Sequence, residues 1–280
     1  MIPAEFDYQR VGSVDEAISA LGAGGEDAKL LAGGHSLVPL MKLRLAAPAL
    51  LVDIGGVEEL RGVQRANGNW SIGALTTHAT LQSSDELGLV SAAASQIADQ
   101  QVRNRGTIGG SLAHGDPASD LPAVMLAAEA EVVAKGPNGE RTIAAADMWQ
   151  DYLTTALAPD EVLTEIRVPG LDGYSWGYQK FTRRAEDWAM VGVAVLAKVS
   201  GGTCEDVRIG LTHMASTPLR ATAAEDTLRG QPLDDEHIAA AAAAAAEGTD
   251  PPGDLNATPE YKRHLAGVLT GRALRSAAGG

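Results

Sequence analysis

The segment TIGGSLAHGDPASDLP, residues 107–122, crowds three glycines, two prolines, two aspartates and a histidine into one polar stretch. A helical pattern over residues 85–102 precedes it, and the apolar run LPAVMLAA, residues 121–128, follows it. Glycine and proline concentrated between two regular segments are typical of a turn with accessible backbone. The sequence therefore predicts a turn here, and it raises the question of what requires so much bare backbone.

A second segment has the same design. LAGGHSLV, residues 31–38, also leads from an apolar run through a Gly-Gly pair to small or polar residues. Glycine pairs admit positive φ, and their successive N–H groups can point at an anion. Two such turns favour a ligand with a long phosphate-bearing middle, although simple turn chemistry explains either one alone. Neither GxGxxG in a βαβ unit nor GxxxxGK[ST] occurs, so a nucleotide site would be of neither Rossmann nor P-loop type.

The composition limits the class of protein. The 280 residues carry a formal net charge of −14, which disfavours nucleic acid and anionic membrane as partners. No signal peptide and no apolar run of membrane-spanning length is present, so we expect a soluble, cytoplasmic protein without a membrane span. The single cysteine, Cys204, excludes an internal disulfide and any iron–sulfur cluster built from this chain's own thiolates. The scattered histidines predict no metal site.

Periodicity and turn residues predict an α+β fold. Ser13–Glu16 forms a capping box, which predicts a helix to Leu21. The linker at residues 171–173 is a candidate domain boundary. Before it we predict strands at 29–32, 48–54, 69–73 and 161–168, helices at 77–83 and 85–102, and a hairpin over 131–143. After it we predict three strands, at 174–182, 189–199 and 207–214, and helices at 216–229, 234–247 and 258–274.

The two glycine segments also carry a family resemblance. AGGHSLVPLMKLRL and QVRNRGTIGGSLAHGDPASDLP closely resemble the FAD-binding medium subunit of molybdenum-containing hydroxylases, the flavin module found also in xanthine dehydrogenase. The similarity continues through IGALTTHATL, DEVLTEIRVP, YQKFTRRAEDWAMVGVAV and IGLTHMASTPLRA to PEYKRHLAGVLTGRAL, which is nearly the whole chain. Within the family, the paired glycine segments and the C-terminal segments look most like the aerobic carbon monoxide dehydrogenase branch.

The resemblance implies a fold and a cofactor. It implies a two-subdomain FAD-binding domain of the PCMH/VAO type over residues 1–173, divided near residue 56, and a smaller C-terminal domain of a three-stranded sheet with helices over residues 174–280. FAD would lie extended between the two subdomains. The residues that it places at the cofactor are Ala32, Gly33, Gly34, His35, Ser36, Leu37, Ile97, Thr107, Ile108, Gly109, Gly110, Ser111, Asp120, Leu163, Lys180 and Trp188.

Carried over by position, the resemblance assigns each of these residues to one part of the cofactor. The backbone amides of the two glycine segments would hold the pyrophosphate and ribityl regions. Asp120 would bind the polar chain of the flavin, Lys180 its carbonyl edge, and Leu163 would pack near the isoalloxazine ring. Ile97 would contact the adenine end. Trp188, where relatives carry tyrosine, would cover one face of the isoalloxazine, with a core tryptophan as the alternative.

Other polar residues in these segments have plainer interpretations. Ser111 departs from the asparagine that many relatives carry after TIGG; serine can still donate one hydrogen bond, but its side chain has a shorter reach. His35 and His114 are interpreted as positioning residues rather than catalytic bases, since a flavin that relays electrons needs no proton abstraction from a substrate. Asp116, before Pro117, is interpreted as a turn residue. No catalytic residue and no metal ligand is therefore assigned.

The function that the resemblance implies is electron transfer. Electrons would pass from a molybdenum centre in a large subunit, through 2Fe-2S clusters in a small subunit, to FAD on this chain and then to an external acceptor such as a quinone. The assembly would be a dimer of heterotrimers. Carbon monoxide is the expected substrate, and a purine or N-heterocycle is the alternative. A stand-alone flavoprotein oxidoreductase, or a nucleotide-binding protein that has lost flavin, are the competing classes.

Overall fold

The computed structural model describes residues 2–279. The first unit is a small parallel sheet of order β1-β3-β2, built from β1 (Asp7–Arg10), β2 (Ala28–Leu31) and β3 (Leu50–Asp53). Helix α1 (Val14–Gly24) joins β1 to β2, and α2 (Leu37–Leu43) joins β2 to β3. The predicted capping box is confirmed. Ser13 Oγ accepts the Glu16 N–H at 3.2 Å, and a Glu16 carboxylate oxygen accepts the Gly12 N–H at 2.8 Å.

The second unit is an antiparallel sheet of order β4-β5-β10-β6-β7. Its strands are β4 (Val63–Ala66), β5 (Asn69–Gly73), β6 (Glu131–Gly136), β7 (Gly139–Ala144) and β10 (Val162–Val168). The hairpin predicted over residues 131–143 is confirmed as β6 and β7. The helices between β5 and β6 are α3 (His78–Gln82), α4 (Leu89–Ser95), α5 (Gln100–Arg103), α6 (Ile108–His114) and α7 (Asp120–Ala127). Helix α8 (Ala145–Met148) and the short pair β8 (Trp149–Asp151) and β9 (Thr154–Thr155) precede β10.

The single helix predicted over residues 85–102 is wrong. The chain forms a 3₁₀ turn at Asp85–Leu87 and then the separate helices α4 and α5. Gly88 and Ala98 interrupt them with φ values of 52° and 42°. Positive φ cannot continue a right-handed helix, and the apolar periodicity of the segment does not reveal these two reversals.

The C-terminal unit is an antiparallel sheet of four strands, β11 (Tyr174–Phe181), β12 (Val191–Ser200), β13 (Thr203–Thr212) and β14 (Leu219–Arg220). The prediction of three strands is therefore wrong, and so is the predicted helix start at residue 216. Leu219 and Arg220 pair with the end of β13 instead, and a two-residue strand carries no readable periodicity. The helices are α9 (Thr222–Leu228), α10 (Asp235–Ala244) and α11 (Pro259–Ala277).

Two glycines let helices pack against the C-terminal sheet. A Cβ at Gly210 would lie 2.1 Å from the Ala123 carbonyl oxygen of α7, and one at Gly177 would lie 2.1 Å from the Ala273 carbonyl oxygen of α11. Helix α7 belongs to the preceding unit, and its apolar side chains share a core with Leu196 of β12. This contact brings the N-terminus of α7 against the C-terminal sheet. Among residues 2–279, no helix is long and apolar enough to cross a membrane.

Candidate functional site

A cavity of about 510 Å³ lies where the three units meet. Both glycine segments line it, together with residues of β10 and β11 and of the connection between β11 and β12. The predicted site residues that line it are Ala32, Gly33, Gly34, His35, Ser36, Leu37, Ile97, Thr107, Gly109, Gly110, Ser111, Asp120, Leu163, Lys180 and Trp188. Ile108 does not line it; its side chain is fully buried in the core of the second unit.

The first glycine segment presents free backbone donors to the cavity. The chain leaves β2, turns at Gly34 with φ 79°, and enters α2. Within the described residues, the five consecutive N–H groups of residues 33–37 have no hydrogen-bond acceptor. Successive unpartnered N–H groups next to a helix N-terminus favour an anion such as a phosphate. This segment can therefore cradle a phosphate-bearing ligand.

Gly33 packs against the backbone that leads into the second glycine segment. A Cβ on Gly33 would lie 2.3 Å from the Arg105 carbonyl oxygen and 2.9 Å from Gly106 Cα. Both neighbours are backbone atoms two and one residues before Thr107, so they cannot turn away as a side chain could. The spacing between the segments therefore depends on the missing side chain at Gly33.

The second glycine segment is the first turn of helix α6 rather than an open loop. Thr107 is the N-cap, and its Oγ1 accepts the Gly110 N–H at 3.2 Å. The N–H groups of residues 108, 109 and 111 donate to carbonyl oxygens of Thr76, Ala74 and Thr107 at 2.9–3.0 Å. Because the fold already uses these donors, the first segment offers the larger set of free amides.

The glycines of this segment are needed for close packing. The positive φ that their residue type allows is not adopted at Gly109 or Gly110. A Cβ on Gly109 would instead lie 2.6 Å from Ala74 Cβ and 2.8 Å from the Ala74 carbonyl oxygen. Contact with the turn after β5 thus explains the glycine at residue 109, whereas a Cβ on Gly110 would lie 2.8 Å from the Oγ1 of the N-cap Thr107.

Asp120 and Lys180 form one buried ion pair at the cavity wall. Lys180 Nζ lies 2.9 Å from Asp120 Oδ2 and donates also to the Gln96 carbonyl oxygen at 3.0 Å. The Tyr178 hydroxyl donates to Asp120 Oδ1 at 2.5 Å. Burial, the largest cause, raises the pKa of the Asp120 carboxyl above its ordinary value, although the Lys180 charge and the tyrosine hydrogen bond lower it. The two residues expected to bind separate parts of a flavin are therefore one coupled unit.

Asp120 binds neighbouring side chains and does not cap the helix that begins here. Asp120 is the first residue of α7, and the N-cap is Ser119. Asp116 is confirmed as a turn residue, since its Oδ1 accepts the Ala118 N–H at 2.8 Å.

The rest of the lining is largely apolar and includes an exposed tryptophan. Leu163 is 5% exposed, Ile97 is half-buried, and Trp188 is 56% exposed. The interpretation of Trp188 as a core residue is therefore wrong, because its side chain stands at the cavity and not in a hydrophobic cluster. An indole that is open to solvent beside a cavity is available to stack on a planar ligand.

Sequence reasoning missed His78. This residue lines the cavity and is 5% exposed, and its Nδ1 has no hydrogen-bond partner within residues 2–279. Burial lowers its pKa to about 4, with smaller contributions from His35 and Arg103, so the ring is neutral at pH 7. The only sequence signal was its place beside Thr77, which caps α3. His114 also lines the cavity, and burial lowers its pKa as well.

Comparison with known proteins assigns this architecture to a family. Residues 4–171 match the family described as FAD binding domain in molybdopterin dehydrogenase, and residues 176–277 match the CO dehydrogenase flavoprotein C-terminal domain. The chain is 46% identical to the carbon monoxide dehydrogenase medium chain of Hydrogenophaga pseudoflava, over 99% of this chain and 98% of that one. It is 40% identical to the 6-hydroxypseudooxynicotine dehydrogenase complex subunit alpha of Paenarthrobacter nicotinovorans, over 99% and 96%.

The fold agrees with a solved relative. A carbon monoxide dehydrogenase structure from Hydrogenophaga pseudoflava, which lacks the Mo-pyranopterin moiety of its molybdenum cofactor, superimposes with a TM-score of 0.97 at 48% identity. The match covers 100% of this chain and 99% of that one. The chain belongs to the FAD-binding medium subunits of molybdenum hydroxylases. Within that family it is an oxidoreductase subunit of the carbon monoxide dehydrogenase-like type, and its cofactor is FAD.

The cavity fits that cofactor. Free consecutive amides suit a diphosphate, the apolar walls at Ile97 and Leu163 suit flat ring systems, and the exposed face of Trp188 suits stacking.

Proposed function

We propose that this chain binds FAD in the cavity at the junction of its three units. The observation that carries the proposal is the row of unpartnered N–H groups at residues 33–37, which faces a cavity with apolar walls. These amides would hold the pyrophosphate, and Ser111 would contribute its hydroxyl at the edge of the same site. Ile97 would lie at the adenine end, as the family resemblance implies.

At the flavin end, the buried pair of Asp120 and Lys180 would present its remaining hydrogen-bonding capacity to the polar chain and the carbonyl edge. The pair costs little rearrangement on binding, because Tyr178 and the Gln96 carbonyl already fix both side chains. Leu163 would exclude water from one side of the ring. Trp188 would cover one face of it.

When bound, FAD supplies the redox chemistry, accepting electrons from 2Fe-2S clusters of a small subunit and giving them to an external acceptor, for which we propose a quinone. The chain contributes position and electrostatics. Its single cysteine, Cys204, is buried, so the clusters of such an assembly would belong to another chain. We propose a large molybdenum-cofactor subunit, a small iron–sulfur subunit and this chain, assembled as a dimer of heterotrimers in the cytoplasm.

We propose carbon monoxide as the substrate of the complex. The support is the match of residues 176–277 to the CO dehydrogenase flavoprotein domain and the 46% identity to a carbon monoxide dehydrogenase medium chain. Oxidation of an N-heterocycle is the second candidate, favoured by the 40% identity to a subunit of the 6-hydroxypseudooxynicotine dehydrogenase complex. The substrate pocket would lie in the large subunit, so the cavity described here does not distinguish the two.

The deciding experiment is purification of the tagged chain from its native cells under mild conditions. We expect one larger and one smaller partner chain to co-purify, with iron, molybdenum and FAD in fixed ratios. The complex should reduce a quinone when carbon monoxide is supplied. Acid precipitation should release all of the yellow colour, because no flavin-linking residue is expected. A chain that purifies alone and turns over a substrate by itself would refute the subunit role. Turnover with an N-heterocycle but not with carbon monoxide would select the second candidate.

A further inference from the structure

His213 holds an unusual backbone conformation at the end of β13. It is the first residue after the strand and has φ 62°, in the left-handed region that few residues other than glycine adopt. Its Nδ1 lies 2.8 Å from the Ala189 carbonyl oxygen, and its Nε2 lies 3.2 Å from Lys262 Nζ. A carbonyl oxygen can only accept, so Nδ1 carries the proton and Nε2 accepts from the ammonium group.

Lys262 fixes this orientation of the ring. Its side chain on α11 is fully buried. Nζ donates to Asp254 Oδ2 at 2.7 Å, to the Pro252 carbonyl oxygen at 2.7 Å and to the imidazole. All three donors of the ammonium are thereby used. Burial lowers the pKa of His213, and the Lys262 charge lowers it further while the Ala189 hydrogen bond opposes both. The ring is therefore neutral and held in one tautomer.

The imidazole anchors the connection between β11 and β12, residues 182–190. Inside this connection, Arg184 and Asp187 bond to each other. The Met190 N–H closes the base of the connection by donating to the Phe181 carbonyl oxygen at 2.9 Å. Apart from that bond, the contact of Ala189 with His213 is, among the hydrogen bonds of residues 2–279, the one that joins the connection to the rest of the protein. Ala189 directly follows Trp188, whose indole is exposed at the cavity.

The same residue reaches the other side of the domain junction. The His213 N–H donates to the Pro117 carbonyl oxygen at 2.8 Å. Pro117 lies in the turn that leads to Asp120, one half of the buried ion pair at the cavity wall. His213 thus contacts, through its backbone and its ring, the two segments that carry Asp120 and Trp188.

We propose that His213, oriented by Lys262, is a positioning residue that sets Trp188 against the bound flavin. This rests on the proposed placement of FAD in the cavity. Without the imidazole, residues 182–190 lose this hydrogen bond to the body of the protein, and the indole is held less firmly at the cavity. The fully buried lysine, fixed by Asp254 and the Pro252 carbonyl oxygen, then serves to hold one imidazole in place.

Two variants separate the ring from the backbone. His213→Gly removes the imidazole and accepts φ 62° without strain. His213→Asn also tolerates that φ, and its carboxamide N–H can replace Nδ1–H as the donor to Ala189. In the FAD-free chain, we expect exchange of the hydrogen-bonded amides of Arg184, Asp187 and Met190 to be faster by about fivefold or more in His213→Gly, and close to wild type in His213→Asn. Unchanged exchange in His213→Gly would overturn the proposal.

Flavin emission tests the second half of the inference. With FAD bound, His213→Gly should brighten the flavin as Trp188→Ala does, and His213→Asn should restore the wild-type emission. If Trp188→Ala brightens the flavin and His213→Gly does not, the proposal is refuted while the placement of FAD stands. If Trp188→Ala itself has no effect, Trp188 is not on the flavin, and the positioning role fails with that placement. Circular dichroism and the Tm of each variant exclude misfolding as the cause.

Discussion

Replacing Gly33 by alanine should weaken FAD binding, because Gly33 packs against the backbone that leads into the second glycine segment. The new Cβ would lie 2.3 Å from the Arg105 carbonyl oxygen, whereas ordinary contacts begin at 3.4 Å. The two backbones must therefore separate by about 1 Å, a form of overpacking that costs roughly 1–3 kcal/mol. The strain acts on residues 33–37, whose free N–H groups would bind the pyrophosphate.

If FAD binding restores the original spacing, it must offset this cost. At about 1.4 kcal/mol for each tenfold change, the Kd for FAD should rise by about 5-fold to 150-fold. The matched control is Gly22→Ala in α1, where a Cβ meets no atom within 4 Å. Alanine in that helix should leave the Kd unchanged and raise the stability by about 0.5–1 kcal/mol.

The assay is a titration of the FAD-free chain with FAD, followed by quenching of flavin emission, with thermal melts of each FAD-free variant. A wild-type Kd in Gly33→Ala would show that the spacing of the two segments does not form the cofactor site. A lowered Tm with an unchanged Kd would mean that Gly33 serves the fold alone.

Four further changes test other parts of the site. Gly109→Val should lower both Tm and bound flavin, since its side chain overlaps the turn after β5 at a cost of about 1–3 kcal/mol; unchanged flavin content would refute this. Asp120→Ala should lower FAD affinity and the free energy of unfolding far more than Asp116→Ala. It leaves the buried Lys180 ammonium without its carboxylate partner, at a cost of about 3–5 kcal/mol. Equal effects of the two variants in titrations and melts would contradict this. Trp188→Ala should brighten bound flavin and change its reoxidation rate while shifting Tm little, since the indole is 56% exposed; wild-type emission and reoxidation would place it off the flavin. The pKa of His78 falls from 6.5 in the unfolded chain to about 4 in the folded one. The neutral ring therefore contributes about 3 kcal/mol to the free energy of unfolding above pH 6.5, and this contribution is lost as the pH falls towards 4. His78→Gln should flatten that part of the pH–stability curve, measured by urea unfolding, and an unchanged curve would contradict this.

The sequence predicted where the site lies, but it explained the glycines only in part. The two Gly-Gly pairs that the sequence singled out both line one cavity. Gly34 does adopt positive φ, as expected for a turn. The reason for Gly33 and Gly109 is instead contact with backbone more than 30 residues away, at Arg105 and Ala74. No local pattern carries that information, because the neighbours are fixed only by the tertiary fold.

Long-range pairing also hid the electrostatics of the site. Asp120 and Lys180 were both assigned to the cofactor, yet their mutual bond joins residues 60 positions apart. His78 was overlooked because a histidine in a short helix looks the same whether it is buried or exposed. The helix patterns of the C-terminal unit, by contrast, were strong enough to place α10 and α11 within a few residues of their ends.

The pairing of Asp120 with Lys180 bears on how this protein can be dissected. The linker at residues 171–173 resembles a modular joint, and a gene split there would give two fragments of reasonable size. Each fragment would then carry half of an ion pair whose side chains are 3% and 4% exposed, so each would present an uncompensated charge on an apolar surface. The same cut would divide the walls of the cavity. The two fragments therefore depend on each other for folding, and we expect neither to bind flavin alone.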